Sequence, residues 1–184
     1  MALHLVRHGP PLIHPGRAAS TWPLDPSRTG EMRQLRQVLR GRAPSAAWHS
    51  SDEPKAVATA QLLTTGPVRT WPALREAHRS DWFETHEEFQ AAVLDAFNEP
   101  ARSARPGWEP LDQTRHRIKT AVAELVDQEG DELVLVGHGT AWTLLISEIT
   151  GCPPDLLTWK KLRVPDLCTV DLDTHTISHP WSQW

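Results

Sequence analysis

The apolar residues of this chain follow two rhythms. Short runs closed by polar groups recur as Leu3-His4-Leu5-Val6, Ala46-Ala47-Trp48-His49, Val68-Arg69-Thr70-Trp71, Leu133-Val134-Leu135-Val136 and residues 168–172. Their length and β-branched content predict strands. Thr174-His175 reads as a turn into a last short strand over 176–179. Between these runs the apolar positions repeat every three or four residues, which is helical spacing. Residues 27–40 carry Met32, Leu35, Val38 and Leu39 on one stripe, with Ser27 or Thr29 as cap and Gly41 as the stop. A second helix is expected after Ser51 or Asp52, with Pro54 in its first turn, running through Ala56, Val57, Ala60 and Leu63 to Gly66. Phe89, Val93 and Phe97 mark a helix over 84–97. The clearest amphipathic stretch is 110–129, through Ile118, Ala121, Val122, Leu125 and Val126, stopped by Gly130. Helices from Thr140 to Gly151 and around 155–161 complete the pattern. Strands alternating with helices predict an α/β fold, a three-layer α/β/α sandwich around a mostly parallel central sheet.

Length narrows this to one domain over 1–184, enough chain to bury roughly 70% of its unfolded surface. Residues 79–108 have the least regular pattern and read as a small cap-like excursion. The net charge of −4 argues against nucleic acid, whose binders carry a basic stripe. No run approaches the ~18 apolar residues of a membrane span, and no basic segment followed by an apolar one opens the chain. Cys152 and Cys168 lack metal-type spacing, and two free thiols suit a reducing cytoplasm. His175 and His179 stand four apart, but no cysteine or carboxylate completes a tetrahedral set, so no metal is expected. The histidines other than His8 and His138, His4 and His49 among them, are assigned to the surface.

Four strand exits carry chemistry. Arg7-His8-Gly9 ends the first, Ser50 to Lys55 follows the second, Glu76 the third, and Gly137-His138-Gly139 the fourth. Parallel neighbours exit on one edge, where open α/β sheets bind ligands, so these groups can converge. Imidazole is a competent nucleophile near its pKa of about 6.5. Arg7 can grip a phosphoryl group with two parallel hydrogen bonds, and Lys55 adds a point charge. Gly9 permits close backbone approach. A protonated His138 would neutralise the equatorial oxygens of a phosphoryl transition state. A carboxylic acid at Glu76 could protonate the leaving oxygen and then activate water, with nearby Glu84 as an alternative donor.

Arg7-His8-Gly9, Ser50-Ser51 with Lys55-Ala56 and Thr59-Ala60, Leu74-Arg75-Glu76 and Gly137-His138-Gly139 together resemble the histidine phosphatase superfamily, the phosphoglycerate mutase-like family. The resemblance implies a phosphoglycerate mutase-like sandwich and a mechanism without cofactor or metal. It implies His8 as nucleophile, Arg7, Gly9, Lys55 and His138 as the phosphate pocket, Arg7 and His138 also in the catalytic set, and Glu76 as proton donor. Glu109 and Arg117 match a weaker acid-then-arginine pair and are expected to give structural support. The chain departs from the family in three places. Lys55 stands where arginine is usual, Pro10-Pro11 where a Thr or Ser and an Asn are common, and Ser80 to Glu84 where a Gly-x-Trp-Glu-Gly run is common. The implied function is hydrolysis of a small-molecule phosphomonoester by a cytoplasmic enzyme. The alternatives are a mutase-type phosphoryl-transfer isomerase and a phosphate-pocket protein with little turnover. Trp22 and Trp82 are expected as loop anchors. Substrate identity and oligomeric state stay open.

Overall fold

A computed structural model describes residues 1–130 and 132–184. Six strands form one sheet: β1 (Ala2–Arg7), β2 (Ala47–Ser50), β3 (Arg69–Thr70), β4 (Glu132–Gly137), β5 (Asp166–Asp171) and β6 (Thr176–His179), in the order β3-β2-β4-β1-β5-β6. The first four strands in that order run parallel, and β5 and β6 add an antiparallel edge. The helices are α1 (Gly30–Arg42), α2 (Pro54–Leu63), α3 (His86–Asn98), α4 (Leu111–Glu129), α5 (Gly139–Thr150) and α6 (Leu156–Lys161).

Side-chain alternation along the strands divides the core in two. Leu3, Leu5, Leu133, Leu135, Cys168 and Val170 face α4 and α5, against Ile118, Ala121, Val122, Leu125, Ala141, Trp142 and Leu145. Val6, Val134, Val136 and Leu167 face α1 and α2, against Met32, Leu35, Leu39, Ala56, Ala60 and Leu63. These two packed faces make the expected three-layer sandwich. The excursion over 79–108 is tied down by α3, whose Ala92, Val93 and Ala96 join Trp108, Leu144 and Trp159 in a third apolar cluster. Thr85 and Glu88 close a capping box at the start of α3.

Several local expectations need correction. Gly41 does not stop α1, which runs to Arg42 with its end at Ala43. A glycine ends a helix by turning left-handed. Gly151 does so at φ 68°, whereas Gly41 is absent from the positive-φ residues. Neither Ser27 nor Thr29 caps α1 through its side chain, and Ser27 sits in a short 3-10 turn capped by Asp25. The first residue flanking α2 is Glu53, with Ser51 Oγ accepting its N–H at 3.2 Å. Strand β3 keeps two of the four expected residues, because Trp71-Pro72 begins a 3-10 turn. His4 and His49 are buried, at 3% and 1% exposure, and not on the surface. Strand positions carry them inward, where His4 Nδ1 lies 3.0 Å from Thr169 Oγ1 and His49 Nδ1 accepts the Trp71 indole N–H at 3.1 Å.

Candidate active site

The order β2-β4-β1 sets three parallel carboxyl ends side by side, and each delivers polar groups to the same edge. Immediately after β1, the His8 N–H donates to Gly137 O at 2.9 Å, continuing the β1–β4 pairing by one residue. His8 Nδ1 lies 2.7 Å from Gly9 O. A carbonyl only accepts, so Nδ1 carries the proton and Nε2 keeps a free lone pair. His8 is 7% exposed. Burial, followed by His138, Lys55 and Arg7, holds its pKa well below the ordinary imidazole value. The ring is therefore neutral at neutral pH.

His138 stands beside it, with ring centroids 5.2 Å apart and planes at 60°. It is 1% exposed and flanks the first residue of α5. Its Nε2 lies 2.9 Å from Ser51 Oγ and 3.5 Å from Glu53 Oε1. Burial and then Lys55 push its pKa down to about 3, against the opposing pull of Glu76. Both imidazoles are neutral before any anion arrives.

Arg7 Nη1 donates to Leu162 O at 2.7 Å, which fixes the guanidinium against the loop before β5. Its Nε is buried without a protein partner. Gly139 makes room for this group: a Cβ there would stand 3.2 Å from Arg7 Nε. Gly9 is similarly enclosed, and its N–H donates to Thr59 Oγ1 at 2.9 Å while that hydroxyl donates to Lys55 O at 2.7 Å. One threonine thus ties the turn after His8 to the first turn of α2. Lys55 itself is 5% exposed, donates to Ala19 O at 2.8 Å and forms an ion pair with Glu53.

Glu76 arrives from the loop after β3. Its carboxylate accepts the Thr140 and Ala141 N–H groups at the start of α5, at 3.0 and 2.9 Å, and that of Ala77 at 3.0 Å. Arg79 Nη2 lies 3.6 Å away and also donates to Thr140 Oγ1 at 2.7 Å. Burial acts to raise the Glu76 pKa, but Arg79, His138 and the backbone donors outweigh it, and the net shift is downward. Glu84 is exposed and lines an outer groove with Asp81, Glu88 and Arg105. Arg117 pairs with Glu109 at 2.8 Å and donates to Ala73 O and Arg75 O at 2.7 and 3.0 Å, a brace beneath the Glu76 loop. Trp22 and Trp82 meet edge to face at 5.7 Å, joining the loop after β1 to the excursion.

The structure thus brings Arg7, His8, Gly9, Lys55, Glu76 and His138 to one sheet edge. Two groups in the same cluster, Glu53 and Arg79, do not stand out in the sequence. Glu53 reads there as an ordinary first-turn acid, and Arg79 belongs to no recognisable motif. The only sequence signal for Glu53 is an acid two residues before a lysine that stands in an arginine's place. A polar edge with two neutral imidazoles, an arginine with an unpartnered donor and a buried lysine suits an anion with a transferable phosphoryl group.

A model of the histidine phosphatase superfamily, branch 1, matches residues 3–179. The chain belongs to that superfamily. Among solved structures it is similar to Bacillus stearothermophilus YhfR, at 23% identity and a TM-score of 0.78 over 99% of this chain and 96% of that one. It is also similar to the mycobacterial glucosyl-3-phosphoglycerate phosphatase solved with VO3, at 27% identity and a TM-score of 0.73 over 100% and 98%. TTHB049 from Thermus thermophilus matches at 24% identity and a TM-score of 0.67 over 97% and 98%. A search of curated proteins found no match. Among the described residues no helix is long and apolar enough to cross a membrane.

Proposed function

We propose that this superfamily member is a phosphatase that hydrolyses a small-molecule phosphomonoester through a phosphohistidine on His8. The observation that carries the reading is the His8 tautomer: Nδ1–H is held by Gly9 O, so Nε2 is free, neutral and buried beside His138. In the first step Nε2 attacks phosphorus, the bond to the leaving oxygen breaks, and Glu76 gives that oxygen a proton. In the second step water attacks phosphorus, its proton passes to the Glu76 carboxylate, and the P–N bond breaks to release phosphate and restore His8. Arg7, Lys55 and the Gly9 backbone bind and orient the phosphoryl oxygens. Glu76 needs a proton for the first step although it is ionised in the empty site. A phosphate dianion beside a carboxylate raises the carboxylate pKa, so substrate binding favours the protonated acid. A phosphate dianion likewise favours a proton on His138, which gives the imidazolium its place in the transition state.

Hydrolysis is favoured over a mutase-type transfer by what the excursion holds. A mutase must retain a doubly anionic intermediate under a cap, yet Arg102 pairs with Glu99 at 2.6 Å and Arg105 with Asp81 at 3.5 Å, both on exposed positions. The glucosyl-3-phosphoglycerate phosphatase supports a phosphomonoester of a small, polar compound as the substrate class. Free Cys152 and Cys168 are compatible with a cytoplasmic setting.

The reading is tested by incubating the protein with a phosphomonoester labelled at phosphorus and quenching in alkali. An acid-labile, alkali-stable phosphoprotein that disappears in His8→Ala is the expected result. Absence of label together with failure to bind vanadate would overturn the reading.

A further inference from the structure

Glu53 is an odd neighbour for a phosphate pocket. It is 4% exposed, and a buried carboxylate is costly unless paired and hydrogen-bonded. Its Oε2 pairs with the Lys55 ammonium. Its Oε1 accepts the Glu76 N–H at 3.1 Å and lies 3.5 Å from His138 Nε2. The side chain therefore spans three of the groups assigned above to phosphoryl transfer, and the backbone N–H of Glu76 pins it as part of the pocket wall.

We propose that Glu53 is an affinity-setting residue, a fixed counter-charge on Lys55 that weakens the pocket's hold on phosphate and so speeds product departure. The inference rests on the phosphomonoesterase reading. The groups acting on the two imidazoles are Arg7, Lys55 and Arg79 on the positive side and Glu76, Glu53 and Asp52 on the negative side, with Asp52 matched by its ion-pair partner Arg75. With both rings neutral, that set carries one net positive charge, little for a pocket that binds a dianion. Lys55 has three donors, of which Glu53 and Ala19 O engage two, leaving one for phosphate. An arginine in the same place would offer a planar fork of five donors. The lysine and its acid thus act as one device that turns a strong anion clamp into a moderate one. The carboxylate also repels the bound dianion directly, which strengthens the effect.

The sign of the effect separates this role from a merely structural one. If Glu53 only held Lys55 in position, its removal would loosen the pocket and weaken phosphate binding. As a counter-charge, its removal tightens binding. Glu53→Gln keeps the size of the side chain and leaves an oxygen to accept the Glu76 N–H. Inorganic phosphate binding by titration calorimetry and steady-state turnover of a phosphomonoester are measured on the wild type and this variant. Glu53→Gln should lower the phosphate Kd and the KM by about tenfold or more. It should also make phosphate a stronger product inhibitor and reduce kcat to the extent that release limits turnover. Should that variant not fold, Glu53→Ser carries the same expectation, since serine is a preferred residue at a helix start. Wild-type binding and turnover with unchanged or weaker phosphate binding in the folded variant would overturn the inference alone. A wild type that neither binds phosphate nor turns over would overturn it together with the phosphatase reading.

Discussion

At the residue scale, Glu76 holds two offices that pull in different directions. Its oxygens accept the Thr140 and Ala141 N–H groups, which makes it the cap of α5 from a remote loop. The same carboxyl group is proposed to carry the proton of the reaction. Glu76→Gln removes the proton donor and turns an amide NH2 toward a backbone N–H that previously met an acceptor. We expect turnover of esters with poor leaving groups to fall by ~10²–10⁴, with a much smaller loss on nitrophenyl phosphate, whose leaving group needs no proton. Unfolding should show a separate cost of about 1–3 kcal/mol for the mispaired cap. Equal kinetic losses on both esters would assign Glu76 to the cap alone. The departure at Lys55 belongs to this scale too: a point charge sits where a fork is usual, and its consequence depends on Glu53 next to it and not on the lysine alone.

At the element scale, the turn from β4 into α5 shows why glycine flanks His138. A Cβ on Gly137 would stand 2.5 Å from the Trp142 ring, and that ring is fixed by its N–H to Val6 O at 2.9 Å. Gly137→Ala should therefore destabilise the fold by about 1–3 kcal/mol through overpacking. At roughly 2–4 °C per kcal/mol, differential scanning calorimetry should see a lower Tm. An unchanged Tm would mean that the indole yields without cost. Elements of this kind are legible in the sequence because their signals are local. The run Leu133 to Val136 ends at Gly137, and the stripe Ile118, Ala121, Val122, Leu125 has no alternative reading at helical spacing. What is not legible depends on distant partners. Trp71 reads as a strand residue until His49 takes its indole N–H, and Gly41 reads as a stop until α1 continues past it in helical conformation. Glu53 is the sharpest case, since its contact with the Glu76 N–H joins residues far apart in the chain and leaves no trace in periodicity.

At the scale of the whole molecule, four histidines sit inside the fold with pKa values shifted downward: His4, His8, His49 and His138. In each, burial is the first cause, opposed at His4 by Glu132 and at His49 by Glu129. The unfolded chain takes up protons at these sites near pH 6.5, whereas the native protein resists them until lower pH. Below about pH 6.5 the unfolded state therefore binds more protons, and stability must fall as pH falls. For His138 the window runs from 6.5 down to about 3, with a limiting slope of about 1.4 kcal/mol per pH unit. Urea unfolding at about pH 7.5, 6 and 5 should show the midpoint moving steadily to lower urea on acidification. The carboxylates act in the same direction only nearer their own range, since Glu76 and Glu109 are held below ordinary carboxylate values. His138→Asn should reduce the slope between about pH 6 and 5, because one protonating site then no longer distinguishes the two states. A flat profile over that interval in the wild type would mean that the buried imidazoles accept protons without leaving the native state. The neutral pair at the heart of the pocket would then have lost its physical basis.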